Sequence, residues 1–289
     1  MRESVAVPAL RAALPADAPW RPEVHESVGS TNVEALRDPR PWRVVVAEHQ
    51  SAGKGRMQRR WEAPPRSSLA ISVVLPVEGA APRLGWIPLI TGMTIRTTAA
   101  QLTSRCPAGA AGPEAEPLGD RVALKWPNDV LAREQPAGDD TAGAGARWRK
   151  LCGVLCELAP SGEVVVCGAG LNVDLSSEEL PVPGATSLTL CGVEHPSREA
   201  LVAGFLQHLG DAHRAWQAGG GALEGVRTAY RRSCLTIGQP VRVHRPGRDP
   251  VEGRAVAVDD EGRLVVDGPG GRQALAAGDV EHVRAAEAT

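Results

Sequence analysis

Apolar runs and alternating stretches divide the chain into a mixed α/β region and a β-rich tail. Continuous β-branched and aliphatic positions at 43–49 and 68–76 predict buried strands, the second of which ends at a proline. The segments 150–158 and 162–175 predict two further strands, which pair as a hairpin through the connection APSG. Residues 121–129 predict a strand that runs into a turn.

Two segments have the spacing of helices. Residues 86–102 repeat apolar positions near one face, and residues 197–217 form a longer amphipathic pattern with Ser197 placed as an N-cap. The stretches 106–120 and 133–147 are rich in glycine, alanine and charged residues, which is typical of long loops. The alternation predicts an α+β protein with an α/β-type mixed sheet and flanking helices.

The tail, residues 235–284, alternates apolar and polar positions and carries the hairpin-turn sequence DDEG at 259–262. Five short strands in so short a segment predict a small β-barrel. We therefore expect an N-terminal lead-in at 1–22, a catalytic domain at 23–234 and a separate small domain at 235–289.

Composition limits the classes of function. The chain has 289 residues, 43% of them apolar, and a net charge of −2, so it has no overall bias toward nucleic acids or membranes. Six cysteines occur without CxxC spacing, which favours reduced thiols in a cytoplasmic protein. The sequence has neither a signal-peptide pattern nor a run of about 18 apolar residues, so no membrane span is expected.

A local basic cluster stands out against this neutral background, in the sequence SAGKGRMQRRW at 51–61. The spacing excludes a P-loop, and Gln58 takes the place of the third glycine of a dinucleotide fingerprint. Glycines nevertheless let backbone N–H groups approach a ligand, and the guanidinium groups of Arg56 and Arg59 match carboxylate or phosphate oxygens. A solvated basic loop is the alternative interpretation.

Three further motifs carry polar side chains next to predicted elements. LKWPNDV, at 124–130, presents Lys125 at a strand end, where α/β sheets tend to bind ligands, although an ordinary turn would have the same pattern. SVGSTN, at 27–32, precedes a helical pattern, so its hydroxyl and amide groups could either cap that helix or bind a polar ligand. GAGLN ends a strand with two glycines and Asn172, which is weak on its own.

The order of these motifs is more specific than any one of them. S-T-N, then Q-x-x-G-x-G-R with a following Trp, K-W-P-N-D, K-L-x-G-x-L-x-E and G-x-G-x-N together resemble the biotin–protein ligase family over most of residues 25–190. The resemblance implies a class II aminoacyl-tRNA-synthetase-like catalytic domain, and the tail resembles the family's C-terminal SH3-like domain. It implies a reaction of biotin with ATP and Mg²⁺ that gives biotinyl-5′-AMP, followed by transfer to a lysine of a biotin carboxyl carrier domain.

The resemblance also assigns roles. Arg56 and Lys125 are the expected catalytic cations, and Asp129 is the candidate metal ligand. The residues expected at biotin are Ser30, Thr31, Asn32, Gln50, Lys54, Gly55, Arg56, Lys125 and Gly153. Those expected at ATP or the adenylate are Arg56, Arg59, Trp61, Asn128 and Asn172, with Trp61 able to stack on adenine.

The sequence departs from the family at two loop positions. Lys54 replaces an arginine, which keeps the positive charge but not the paired N–H donors of a guanidinium group. Gln58 replaces a glycine, which removes a residue that adopts unusual backbone conformations easily. Two other functions stay open: a lipoate- or octanoate–protein ligase of the related fold, and a biotin-sensing or nucleic-acid-binding regulator. About 25 residues precede SVGSTN, too few for the DNA-binding domain of some family members, so no DNA binding is expected.

Overall fold

The computed structural model describes residues 2–77, 81–103, 118–133 and 147–283. Its main sheet has seven strands in the order β1-β2-β5-β9-β8-β7-β6. The pair β1·β2 is parallel, and the other five neighbouring pairs are antiparallel. The strands of this sheet are β1 (Arg21–His25), β2 (Arg43–Ala47), β5 (Ser68–Pro76), β6 (Val122–Lys125), β7 (Asp129–Arg133), β8 (Trp148–Leu158) and β9 (Val164–Asn172), and β3 (Gly53–Lys54) pairs with β4 (Arg60–Trp61) in a small separate hairpin.

Helices cover both faces of the main sheet, which is why its central strands are continuously apolar. Alternate residues of β5, among them Leu69, Ile71 and Val73, join the main core. That core also holds the apolar side chains of α3 and α4, whereas Val74 packs in a second cluster that contains Ala35 of α2. The helices are α1 (Val7–Ala13), α2 (Thr31–Arg37), α3 (Ile87–Thr103), α4 (Arg198–Ala218) and α5 (Gly220–Ser233).

Most predicted elements are confirmed within one or two residues. The strand predicted at 68–76 is β5, the hairpin through APSG is β8–β9, and the two predicted helices are α3 and α4. Ser197 caps α4, because its side chain accepts a hydrogen bond from the backbone of Ala200. The predicted segment 121–129 becomes two strands, β6 and β7, joined by a turn with a cis Trp126–Pro127 peptide bond. The predicted loops at 106–120 and 133–147 lie largely outside the described residues.

The N-terminal segment is structured. Helix α1 contacts α4, and β1 extends the main sheet at its edge, where Pro22 is tolerated because an edge strand needs fewer ladder hydrogen bonds. The backbone N–H of Val5 donates to Glu48 Oε1 over 2.6 Å, and the buried Glu48 also pairs with Arg198 at 2.8 Å. The segment is therefore tied to the end of β2.

The C-terminal residues form a five-stranded antiparallel sheet in the order β13-β12-β11-β10-β14. Its turn at 259–262 rests on the larger unit: Trp86 Nε1 donates to the carbonyl of Asp260 over 2.9 Å, and Trp126 Nε1 donates to that of Gly262 over 3.0 Å. Both indoles are buried, so the two units share an interface. The strands of this sheet are β10 (Pro240–Arg245), β11 (Arg248–Val258), β12 (Leu264–Gly268), β13 (Gly271–Leu275) and β14 (Asp279–His282).

In the described part of the chain, no helix combines the length and the apolar character needed to cross a membrane.

Candidate functional site

A cleft opens between the basic loop, the start of α2 and the strands β7 to β9, and its volume is about 770 Å³ when the open solvent at its entrance is counted. Most of the predicted site residues meet here. The lining consists of Ser30, Thr31, Asn32, Gln50, Lys54, Gly55, Arg56, Met57, Arg59, Arg60, Trp61, Asn128, Asp129, Lys150, Gly153, Val154, Leu155, Gly168, Ala169, Gly170 and Asp279.

The floor of the cleft requires glycines because other groups approach its backbone closely. A Cβ at Gly168 would lie 2.0 Å from Asn32 Oδ1, and one at Gly170 would lie 2.5 Å from Cε2 of Trp61. A Cβ at Gly153 would lie 3.1 Å from Cζ3 of the same indole. The indole of Trp61 therefore lies directly on the two glycines of β8 and β9 and forms a planar surface inside the cleft.

The basic loop closes the cleft as a short hairpin. Gly53 pairs with Trp61 and Lys54 with Arg60, and the turn between them contains two residues with left-handed backbone conformation, Met57 at φ 54° and Gln58 at φ 61°. Glycine is the residue that adopts this conformation at least cost. The resemblance predicted a glycine at position 58, and the structure shows why glutamine there departs from the optimum.

Two arginines of this loop have carboxylates or amides as partners. Arg56 Nη1 donates to Asn128 Oδ1 over 3.1 Å. Burial lowers the pKa of Arg56, while the charges of Asp129 and Asp279 oppose that effect. Arg59 forms an ion pair with Asp279 of β14, so the C-terminal sheet contributes a carboxylate to the cleft.

Lys150 is a lining residue that sequence reasoning missed. Its Nζ lies 2.7 Å from Asp129 Oδ1 and 5.8 Å from the ring centroid of Trp61. The sequence did contain a signal, because K-L-x-G-x-L-x-E places a lysine three residues before the floor glycine Gly153. Pairing of β7 with β8 then brings this lysine to Asp129 at the start of β7.

Two predicted residues do not line the cleft. Lys125 is the last residue of β6 and lies near His282. Burial, and to a smaller extent the charge of Lys125, lowers the pKa of His282 to about 4. Asn172 is buried at the end of β9, and its Nδ2 donates to the carbonyl of Thr186 over 2.9 Å.

Polar groups fill the other end of the cleft. Ser30 occupies the N-cap position of α2, but its side chain makes no capping hydrogen bond, and the residue lines the cleft. The backbone N–H of Thr31 donates to Gln50 Oε1 over 2.8 Å, and the Thr31 hydroxyl lies 3.1 Å from the same oxygen. The cleft thus combines a neutral polar end, a planar floor and a cationic end with Arg56 and Lys150.

The described residues contain no group of three or more His, Cys, Asp or Glu side chains arranged to hold a metal. Asp129 nevertheless offers a carboxylate inside the cleft, next to the amide of Asn128. Magnesium in nucleotide sites is held by one or two carboxylates together with phosphates and water, so this donor set fits Mg²⁺ bound with a nucleotide.

The fold is that of the biotin protein ligases. The structure of the Aquifex aeolicus biotin protein ligase in complex with biotin and ATP matches 92% of this chain and 99% of its own, with a TM-score of 0.71 at 20% sequence identity.

The chain belongs to the biotin/lipoate A/B protein ligase family, whose model matches residues 26–174, and residues 236–283 match the biotin protein ligase C terminal domain. A biotin–[acetyl-CoA-carboxylase] ligase of Mycobacterium tuberculosis is 36% identical over 92% of this chain and 90% of its own. The ligase of the same name from Paracoccus denitrificans is 29% identical over 87% of this chain and 96% of its own.

Proposed function

We propose that this protein is a biotin–protein ligase that acts on a biotin carboxyl carrier domain of a carboxylase. In the first step a carboxylate oxygen of biotin attacks the α-phosphorus of ATP, pyrophosphate leaves, and biotinyl-5′-AMP forms. In the second step the amine of the acceptor lysine attacks the acyl carbon, an amide bond forms, and AMP and a proton leave. The observation that carries the proposal is one cleft with a neutral polar end and a cationic end.

The cationic end suits the chemistry of the first step. Two anions, the carboxylate and the α-phosphate, must meet, and fixed positive charges lower that repulsion and stabilise the transition state. Arg56 and Lys150 both line this end. We assign Lys150, rather than Lys125, as the catalytic lysine, because Lys125 lies outside the cleft lining. Bound Mg²⁺ would neutralise phosphate charge, with Asp129 as its protein ligand.

The remaining lining residues divide between the two substrates. We assign Ser30, Thr31 and Gln50 to the ring of biotin, at the neutral polar end. We assign Trp61 to the planar adenine or ring surface and Asn128 to the phosphates. Adenylate contacts by Arg59 and Asn172 stay predictions, because Arg59 pairs with Asp279 and Asn172 lies away from the cleft.

Several finer points belong to the same proposal. The catalytic domain is class II aminoacyl-tRNA-synthetase-like, the C-terminal sheet is an SH3-like barrel, and the division falls at residue 235. The protein works in the cytoplasm, in keeping with its cysteines without CxxC spacing. The absence of DNA binding stays a prediction.

ATP–pyrophosphate exchange with purified protein and Mg²⁺ tests the proposal, with biotin, lipoate or no acid added. We expect exchange that depends on biotin, followed by transfer of biotin to a purified carrier domain in the presence of ATP. Exchange that depends on lipoate and not on biotin would identify a lipoate–protein ligase of the related fold. Biotin binding without exchange would instead support the regulator.

A further inference from the structure

The neutral end of the cleft continues into a hydrogen-bond network that includes two residues outside the cleft lining, the buried Ser72 and the half-buried Glu157. Ser72, in the middle of β5, is fully buried, and its Oγ lies 2.8 Å from Thr31 Oγ1 and 2.7 Å from Asn32 Oδ1. Asn32 Nδ2 in turn donates to the carbonyl of Leu155 over 3.1 Å and to Glu157 Oε2 over 2.6 Å.

The proton positions in this network follow from the partners alone. The carbonyl of Leu155 and the carboxylate of Glu157 can only accept, so both N–H groups of the Asn32 amide point to them. The Oδ1 atom of Asn32 must then accept a hydrogen bond, and the hydroxyl of Ser72 is the donor within reach. Asn32 therefore has no amide hydrogen left for a ligand, although it lines the cleft.

The same count of donors and acceptors determines the role of the Thr31 hydroxyl. Ser72 has a single hydroxyl hydrogen, which it donates in the hydrogen bond to Asn32 Oδ1. The hydroxyl of Thr31 consequently donates, either to Ser72 Oγ or to Gln50 Oε1, and its lone pairs remain for a ligand. Gln50 Oε1 accepts the backbone N–H of Thr31, so the N–H donors of the Gln50 amide remain for other partners, and Gln50 lines the cleft.

We infer that Ser72 and Glu157 are positioning residues: Glu157 orients Asn32, Ser72 bonds both Asn32 and Thr31, and the network holds Thr31 as an acceptor beside the donor group of Gln50. A slot with an acceptor next to a donor is complementary to a neutral ring that carries an N–H group beside a carbonyl. A cyclic urea has both groups, and a dithiolane ring has neither. The inference rests on the proposed function and adds two residues behind the ligand surface to it.

Ser72→Ala tests the donor, and Glu157→Gln against Glu157→Leu tests the acceptor. Glutamine keeps an oxygen for Asn32, whereas leucine of similar size does not. Ser187→Ala is the matched control, because Ser187 is also fully buried and donates to the carbonyl of Leu175 over 2.8 Å, but its hydrogen-bond partners are not residues that line the cleft.

The measurements are steady-state exchange kinetics, calorimetric titration with biotin in the absence of ATP, and Tm. We expect Ser72→Ala and Glu157→Leu to raise KM and Kd for biotin about tenfold, the typical effect of an unsatisfied buried polar group. The KM for ATP and kcat should stay within about twofold of the wild-type values, and Glu157→Gln should bind biotin like the wild type. Ser187→Ala should lower Tm as much as Ser72→Ala without changing Kd.

Three results would overturn the inference: equal Kd values for Ser72→Ala and Ser187→Ala, a parallel loss of all kinetic parameters, or failure of Glu157→Gln to restore binding. Calorimetry separates these from failure of the proposed function. A wild-type protein that binds biotin without exchange refutes the proposed reaction and leaves the network testable. A wild-type protein that binds no biotin refutes both.

Discussion

Lys150 and Lys125 form a natural pair for testing which lysine of the site is catalytic. Lys125 ends β6 and Lys150 lies in β8, with β7 between these strands, but of the two only Lys150 lines the cleft, and its Nζ is 2.7 Å from Asp129. Replacing each lysine by methionine removes one charge and keeps most of the side-chain volume. The structure predicts a large loss of adenylation for Lys150→Met and a small one for Lys125→Met.

The magnitude follows from the environment of Lys150. A unit charge about 4 Å from a developing negative charge contributes roughly 4 kcal/mol at an effective dielectric constant of 20. The side chain of Lys150 is 31% exposed, so solvent screening reduces this to about 2–3 kcal/mol. That range corresponds to a loss of about 30- to 150-fold in kcat/KM.

The assay is biotin-dependent ATP–pyrophosphate exchange, with Tm measured for each variant. Lys150→Met also leaves Asp129 unpaired, so the double variant Lys150→Met/Asp129→Asn serves as the stability control. It should recover Tm without recovering activity. The reasoning is refuted if Lys150→Met keeps activity within about threefold of wild type, or if Lys125→Met loses as much.

Three other perturbations have defined outcomes. Arg56→Gly removes the loop cation that bonds to Asn128, so biotinyl-AMP should dissociate faster and bystander proteins should be labelled; unchanged off-rates would contradict this. Gln58→Val places a β-branched residue at φ 61°, which should cost at least about 1 kcal/mol and raise the rate of tryptic cleavage within the loop severalfold, whereas Gln58→Gly should not. Arg198→Met leaves Glu48 buried without its cation, so the free energy of unfolding should fall by about 3–5 kcal/mol in denaturant titration. Adding Glu48→Gln should restore part of that loss, and no difference between the single and double variants would argue against a buried charge as the cause.

The sequence predicted several elements whose signal is local, although the amphipathic helix α5 was not among them. Strand β5 is a continuous apolar run ended by proline, and α4 has both its apolar period and a serine cap. Elements that depend on tertiary contacts were missed: α1 and β1 lie in a proline- and alanine-rich segment with little period, and they are held by α4, β2 and Glu48.

The site followed the same rule. The order of motifs predicted Thr31, Gln50 and Arg56, which all line the cleft, because these positions belong to contiguous patterns. It selected Lys125 over Lys150 because a lysine at a predicted strand end is well placed to bind a ligand. The pairing of β7 with β8, which brings Lys150 to Asp129, is a long-range contact that the sequence pattern does not show. Ser72 had no sequence signal beyond being a serine in the middle of a mostly apolar strand.

The contact of the turn at 259–262 with Trp86 and Trp126 has a consequence for chimeric proteins. Replacing the C-terminal sheet with that of a relative preserves the interface only if the new turn places backbone carbonyl groups within hydrogen-bond distance of both indole N–H groups. The exchanged sheet must also bring a carboxylate to the position of Asp279, or Arg59 loses its partner at the mouth of the cleft. The two units are therefore transferable as a matched pair rather than as independent modules.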